Sequence, residues 1–359
     1  MKTILGSRGS ARTRRLLFIA VLVLLLLPYI GYIALVVSSG IAPIDYQTFM
    51  SIGERLRRGE EIYGTNSFYP LPFVMIFAAF SALPYPVSVL LWLALPLVAA
   101  LFATKHPLAA LLYAPLLSHV TGGQSALFGL IALWGYRNRR DPENAAGGFW
   151  LAFALLKPQL SIIPLAFAGW GWAQVLRRER RVPRQARAWL LTGAVLYLPS
   201  FLIIPDWPLR WLRNSRPLWE RPMAAIVPRT LLMLDVAPQG ALFWLLLATI
   251  AGLLLFVVWR LNRRSLSFDL LMLWGCTVIP LFHDYDLIQL LPLFDTPLFA
   301  WLAAAFSVPG WIVIVFDYGS IRAWYVFSLI PFGLLWVKLA QSRRSRMLST
   351  TAVLPENAL

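Results

Sequence analysis

The chain has 359 residues, 59% of them hydrophobic and only 13% charged, with 16 tryptophans and a formal net charge of +16. A mean hydropathy of +0.68 and recurring apolar runs of about 20 residues, the length that crosses a bilayer, exclude a soluble globular domain. The positive charge falls in short clusters between apolar runs, where it sets topology, so no nucleic-acid partner is expected, and the single Cys276 excludes a disulfide framework and a cysteine-based metal site.

In chain order, Leu16 to Val37 is a run of about 22 apolar residues, longer than the ~7 to 15 residue core of a signal peptide, and reads as a retained first span. Basic clusters at Arg8 to Arg15, Arg137 to Arg140, Arg177 to Arg187, Arg260 to Arg264 and Arg343 to Arg346 flank the apolar runs. The positive-inside rule assigns all five to the cytoplasm, so an even number of crossings separates successive clusters. Spans are expected near Leu16 to Val37, Pro72 to Leu83, Val87 to Ala103 and in a broken segment over Leu108 to Tyr136. Phe149 to Leu176 is too long for one ordinary span and is interrupted at Lys157-Pro158, so it reads as two short helices. Trp189 to Ile204 and Ala241 to Trp259 follow, then Leu270 to Phe282, Leu287 to Leu293, Leu298 to Phe316 and Trp324 to Leu339. The expected fold is an all-α integral membrane bundle of about 10 to 12 transmembrane or short membrane helices, multi-pass in the cell membrane with both termini cytoplasmic. It forms one domain over 1–346, and 347–359 reads as a disordered tail by composition.

Ionisable groups at membrane depth are costly and therefore mark function. By this topology they gather on the extracytoplasmic side. Asp45 follows the first span directly. After it, Tyr46, Phe49, Met50, Gly53 and Leu56 recur at helical spacing, with Glu54, Arg55, Arg57 and Arg58 opposite, which predicts an amphipathic helix lying in the interface. Position alone also allows Asp45 to be a helix cap. Lys157-Pro158-Gln159 breaks an apolar stretch of roughly 28 residues, and a lysine there must find an anion or a water-filled cavity. His283-Asp284-Tyr285-Asp286 forms a polar cluster between two apolar runs. It lacks a second histidine at ligand spacing, so no metal is assigned; it can position an acceptor hydroxyl or pair with Lys157. Thr121-Gly122-Gly123-Gln124-Ser125 offers a close backbone approach and an amide for hydrogen bonding, or a simple turn. His119 reads as a satisfied interior histidine. The loop from Pro205 to Arg229 combines Asp206, Arg210, Arg213, Arg216 and Arg221 with Trp207, Trp211 and Trp219, suited to lipid phosphate or to interfacial anchoring.

Asp45 after the first span, Arg57-Arg58-Gly59-Glu60-Glu61-Ile62-Tyr63, Phe68-Tyr69-Pro70-Leu71-Pro72, Gly123-Gln124-Ser125 and Leu155-Leu156-Lys157-Pro158-Gln159, in this order, resemble glycosyltransferase family 87. The members of this family are polyprenyl-phosphate-mannose-dependent mannosyltransferases of the GT-C superfamily. The resemblance covers about Asp45 to Asp286. It implies a GT-C-type bundle and a membrane hexosyltransferase that needs no cofactor. The implied partners are a polyprenyl-phosphate sugar donor, an extracytoplasmic glycolipid or glycan acceptor, and membrane lipids. On this reading Asp45 is the catalytic base of a transfer that inverts the anomeric configuration, while Lys157, Arg210 and Arg213 face the donor phosphate. Tyr69, Gln124, Gln159, His283, Asp284 and Asp286 are expected to contact substrate. The alternative is a lipid-linked sugar flippase or transporter, for which a broken helix at Lys157 is equally natural; no internal repeat supports it.

Overall fold

The computed structural model describes residues 5–64, 67–215, 225–263, 265–316 and 325–351. The chain is 79% helical, with no strand among the described residues. From the amino-terminal side, α1 (Leu5–Ser39) leads to α2 (Ile44–Arg57), α3 (Leu71–Phe80) and α4 (Tyr85–Ala103). Three short helices follow: α5 (Pro107–Leu111), α6 (Ala114–Gly122) and α7 (Leu127–Arg137). Next, α8 (Ala145–Ala152) tightens into a 3-10 helix (Phe153–Leu156) before α9 (Pro158–Glu179) and α10 (Arg184–Ile203). The chain continues through α11 (Trp207–Asn214), α12 (Ile226–Met233), α13 (Ala241–Leu261) and α14 (Phe268–Val278) to a longer 3-10 helix (Asp284–Leu293). The remaining helices are α15 (Pro297–Phe306), α16 (Val308–Phe316) and α17 (Val326–Thr351).

Much of this punctuation comes from proline. A proline in the first turn opens α3, α4, α5, α6, α9, α11 and α15, where its missing N–H leaves no bond unmade and its fixed φ suits the helix. The break expected at Lys157-Pro158 is present, with Lys157 as the N-cap of α9. The expected run Leu287 to Leu293 is a 3-10 helix, with Pro292 inside it.

Among the described residues, five helical stretches are long and apolar enough to cross a membrane: Ala11–Ser39, Tyr85–Ala103, Arg184–Ile203, Ala241–Leu261 and Pro297–Phe316. Only 11% of the most apolar window of α1 and of α10 is buried within the protein, and 17% of that of α13. Helices this apolar on their outward faces need hydrocarbon around them, and the chain is an all-α membrane protein. Three further apolar helices, Leu71–Phe80, Ala145–Leu156 and Phe268–Val278, are too short to cross ~30 Å of hydrocarbon at about 1.5 Å per residue. They form the interior of the bundle.

One end of the bundle is stitched together by charge. Arg137, closing α7, bonds both carboxylate oxygens of Asp269 in α14 (3.1 and 2.6 Å) and reaches Asp295 (3.2 Å). Lys338 of α17 joins the same two acids at 3.0 and 2.7 Å. Gln185 of α10 donates to the Arg139 carbonyl (2.7 Å), Arg181 pairs with Glu143 (2.9 Å), and Ser342 donates to Asn262 (2.6 Å). The loops that follow α7, α9 and α13 thus meet at one basic end. The opposite end carries the groups that the sequence singles out. There α2 buries Tyr46, Phe49 and Gly53 of the expected face, together with Ile52, against α3, while Met50 and Leu56 of that face are half-buried. The expected disordered tail, 347–359, is helical as far as Thr351, because neither glycine nor proline interrupts the chain between Gly333 and Pro355. Residues 352–359 lie outside the described residues.

Close backbone approaches hold the short helices together, as in membrane bundles generally. A Cβ on Gly53 would lie 2.4 Å from the Phe77 carbonyl carbon of α3, and one on Gly148 of α8 would lie 1.9 Å from the Gln185 carbonyl oxygen of α10. Gly148→Ala must push α8 and α10 apart. A loss of about 1 to 3 kcal/mol is expected, the range for overpacking a filled interface, read as a lower Tm of the detergent-solubilised protein. An unchanged Tm would show that the two helices separate at no cost.

Candidate functional site

Asp45 sits in the first turn of α2, one residue inside the helix whose N-cap is Pro43. Its carboxylate is held from another part of the chain: Gln124 Nε2 donates to Asp45 Oδ2. What brings these residues together is Gly123, which ends α6 in the left-handed conformation with φ +63°. A Cβ there would lie 2.9 Å from Tyr46 Cβ and 3.0 Å from Pro43 Cβ, so only glycine lets the turn nest under the start of α2. Helix α4 clamps both partners. Trp92 Nε1 donates to the Gly123 carbonyl (2.8 Å), and the Tyr46 and Ser88 hydroxyls bond at 2.6 Å. Burial pushes the Asp45 carboxyl above the ordinary carboxylate range, while the Gln124 hydrogen bond and the charge of Lys157 pull it back down.

Lys157 is 1% exposed and pairs with the fully buried Asp286 at 2.5 Å. The second oxygen of Asp286 accepts from the His283 backbone N–H at 3.0 Å. Lys157 Nζ also lies 4.7 Å from the centre of the Tyr285 ring, on which His283 stacks in parallel at 4.9 Å. The His283-to-Asp286 cluster therefore folds as a cradle for one ammonium. Pairing is the way an apolar bundle tolerates that charge.

A cavity of about 390 Å³, within the ~300 to 1,000 Å³ range of small-molecule sites, opens between these elements and is lined by Asp45, Tyr69, Lys157, Gln159 and His283. Tyr69 is fixed by stacking on Phe73 (4.4 Å) and by an edge contact with Phe49 (5.0 Å). Trp211 of α11 closes one side, its Nε1 donating to the Phe68 carbonyl at 2.9 Å. Beside the cavity, and sharing Pro70, Pro158 and Trp211 with it, lies an apolar groove of about 450 Å³ walled by Trp189, Tyr197 and Trp207.

The other residues singled out from sequence fall elsewhere. Gln124 stands behind Asp45, and Asp286 behind Lys157. Asp284 turns toward α6, where Ser118 Oγ donates to its Oδ2. Arg210 and Arg213 do not line the cavity, which corrects their expected place at the same phosphate as Lys157. The physical reason is the register of α11. Trp207, Trp211 and Ser215, four residues apart, turn inward, which leaves Arg210 outside in ion pairs with Asp206 (2.9 Å) and Glu61 (2.6 Å) and leaves Arg213 exposed. Arg216, Trp219 and Arg221 lie outside the described residues. His119, expected to be satisfied, is buried with neither ring nitrogen hydrogen-bonded among the described residues.

Ser118 is absent from the residues that the sequence singles out, and Tyr285 enters there only as a member of the His283-to-Asp286 cluster, without a role of its own. Tyr285 carried a signal in its place within a polar cluster between apolar runs; Ser118, inside an apolar helix, carried none. The arrangement offers one ligand a half-buried proton acceptor, a held ammonium with donors to spare, and an apolar channel alongside. Comparison with protein families, with characterised proteins and with solved structures gave no match to this chain.

Removing one partner of a buried pair strands the other charge, so Lys157→Met or Asp286→Leu alone is expected to cost about 3 to 5 kcal/mol. The double variant should recover most of that loss. Thermal unfolding of the three variants in detergent decides this, and a double variant whose loss equals the sum of the two single losses would show that the two residues contribute independently.

Proposed function

We propose that this chain is a membrane glycosyltransferase of the family 87 type, built on a GT-C bundle. It transfers a sugar, mannose on the resemblance, from a polyprenyl-phosphate donor to a glycolipid or glycan acceptor on the extracytoplasmic face. The observation that carries this reading is the cavity that unites Asp45 with Lys157, Gln159 and His283 and opens beside an apolar groove. A lipid-linked sugar needs that combination: a polar chamber for the sugar and phosphate, and an apolar wall for the lipid.

In this mechanism the acceptor hydroxyl gives its proton to Asp45 as its oxygen attacks the anomeric carbon. The bond from that carbon to the phosphate oxygen breaks on the opposite face, so configuration inverts. The electron pair leaves on the polyprenyl phosphate, already a good leaving group, and no second carboxylic acid is required. Lys157 donates to the departing phosphate, while Asp286 and Tyr285 keep its ammonium in place, so that the donor is in position before charge develops. Gln124 aims the Asp45 carboxylate. Gln159, His283 and Tyr69 form the walls against which the sugar and acceptor are oriented. The termini and basic end lie in the cytoplasm on this reading, following the positive-inside rule.

The test is transfer of labelled mannose from polyprenyl-phosphate-mannose in membranes carrying the native chain or Asp45→Asn at matched protein levels. The native membranes should form labelled product and the variant should lose at least 100-fold, the lower scale for removing a general base. A fully active Asp45→Asn variant would overturn the assignment of the base.

The same carboxyl sets a pH dependence. Its pKa is raised by burial, so transfer should fall on the acid side at a higher pH than an ordinary Asp of pKa about 3.9 allows. The Gln124 hydrogen bond lowers that pKa. Gln124→Leu should therefore move the acid limb of the kcat/KM profile further up in pH. A limb that stays put or moves down would separate Gln124 from the base.

A further inference from the structure

A second pair of cavities lies at the basic end of the bundle, at the far end of α9 from Lys157. The first, of about 390 Å³, is bordered by Arg140, Gln174 and Arg178 at its mouth and by Phe167 and Trp170 within. The second, of about 580 Å³, shares Phe167 and Trp170 with it and continues between α9 and the helices α13 and α14, past Ala166 and Trp274 to Ile163. The two form one groove. On α9 it follows Ile163, Phe167, Trp170, Gln174 and Arg178, a spacing of three to four residues that keeps to one face of a helix.

Its chemistry changes along its length. At the mouth, Arg140 holds its guanidinium 5.5 Å from the centre of the Phe268 ring, and Arg178 is exposed. Neither meets a carboxylate within ion-pair distance among the described residues. The acid beside them, Glu179, is already taken by Arg181 at 2.5 Å. The mouth thus presents two guanidiniums that suit a phosphate. Beyond Gln174 the walls are apolar and aromatic. At about 1.5 Å per residue the stretch from Ile163 to Gln174 rises about 16 Å, which matches one leaflet, half of the ~30 Å hydrocarbon core.

We infer that this groove binds an acidic glycerophospholipid of the leaflet at the basic end, with its phosphate at Arg140 and Arg178 and an acyl chain lying along α9 between α13 and α14. A lipid so placed wedges the three helices together at the end of α9 remote from the polar cavity. This site is independent of the function proposed above.

Native mass spectrometry of the purified full chain tests it, using micelles that contain equal amounts of phosphatidylglycerol and phosphatidylcholine. The native protein should retain one phosphatidylglycerol with a preference of roughly tenfold or more, the scale for two arginines beside an anionic headgroup. Arg140→Gln/Arg178→Gln should bring that preference close to parity. Ala166→Trp, at an exposed position, leaves charge unchanged and should displace the retained lipid by filling the groove. Arg12→Gln/Arg14→Gln removes the same charge elsewhere and should leave the preference intact. Equal retention of both lipids by the native chain would overturn the site. So would a preference that survives the Arg140 and Arg178 changes, one that falls equally in the Arg12 and Arg14 variant, or an Ala166→Trp protein that holds the lipid as before.

Discussion

The pairing of Lys157 with Asp286 is the interaction on which the architecture of the polar end depends. Neither side chain has appreciable exposure, and a charge stranded in such surroundings costs about 3 to 5 kcal/mol, a large share of the about 5 to 15 kcal/mol that holds a protein folded. Each residue therefore dictates the shape of its own neighbourhood. Around Lys157 the helix is interrupted, with a 3-10 turn ending at Leu156 and α9 starting afresh at Pro158. Around Asp286 the chain folds back so that His283 supplies a backbone N–H and Tyr285 a ring face. The cavity is the space that these two departures from regular helix leave between them.

The two ends of the bundle handle charge differently. At the basic end, two acids, Asp269 and Asp295, are shared by Arg137 and Lys338, a network in which each charge has more than one partner. Its geometry fastens α7, α14 and α17. At the other end, among the described residues, Asp45 has only an amide to hold it, and Lys157 only one carboxylate. Fewer fixed partners leave hydrogen-bonding capacity that faces the cavity. A network saturated with partners is suited to holding helices, whereas one with spare donors and acceptors is suited to a ligand.

Local sequence signals were legible wherever a residue's own chemistry forces a local structure. Lys157-Pro158 inside an apolar run had to be a break, and it is one. The pattern Tyr46, Phe49 and Gly53 predicts one buried face for α2, and Gly122-Gly123 permits a close backbone approach or a simple turn, of which the close approach of Gly123 to Tyr46 and Pro43 is what forms. Long-range facts were less legible. Nothing near Lys157 in the chain distinguishes Asp286 from other acids as its partner; pairing with the cluster was only one of its readings. The arginines of α11 show only their type in the sequence, yet the register of Trp207 and Trp211 decides where they point. A helical pattern of two anchors was available there and outweighs charge in setting which face turns in. Ser118 illustrates the limit, since a small hydroxyl in an apolar helix gives no hint of a carboxylate 166 residues away.

The spacing of these charge pairs along the chain also bears on how the protein is made. Arg137 precedes Asp269 by 132 residues, and Lys157 precedes Asp286 by 129. At about 5 to 20 residues per second, each cation waits roughly 6 to 26 seconds for the partner synthesised after it. Throughout that interval the amino-terminal helices carry charges whose partners in the finished protein lie in the carboxy-terminal half. Chains that stall before Asp286 are thereby left with an unmatched lysine between apolar segments, a mark by which incomplete products differ from finished ones.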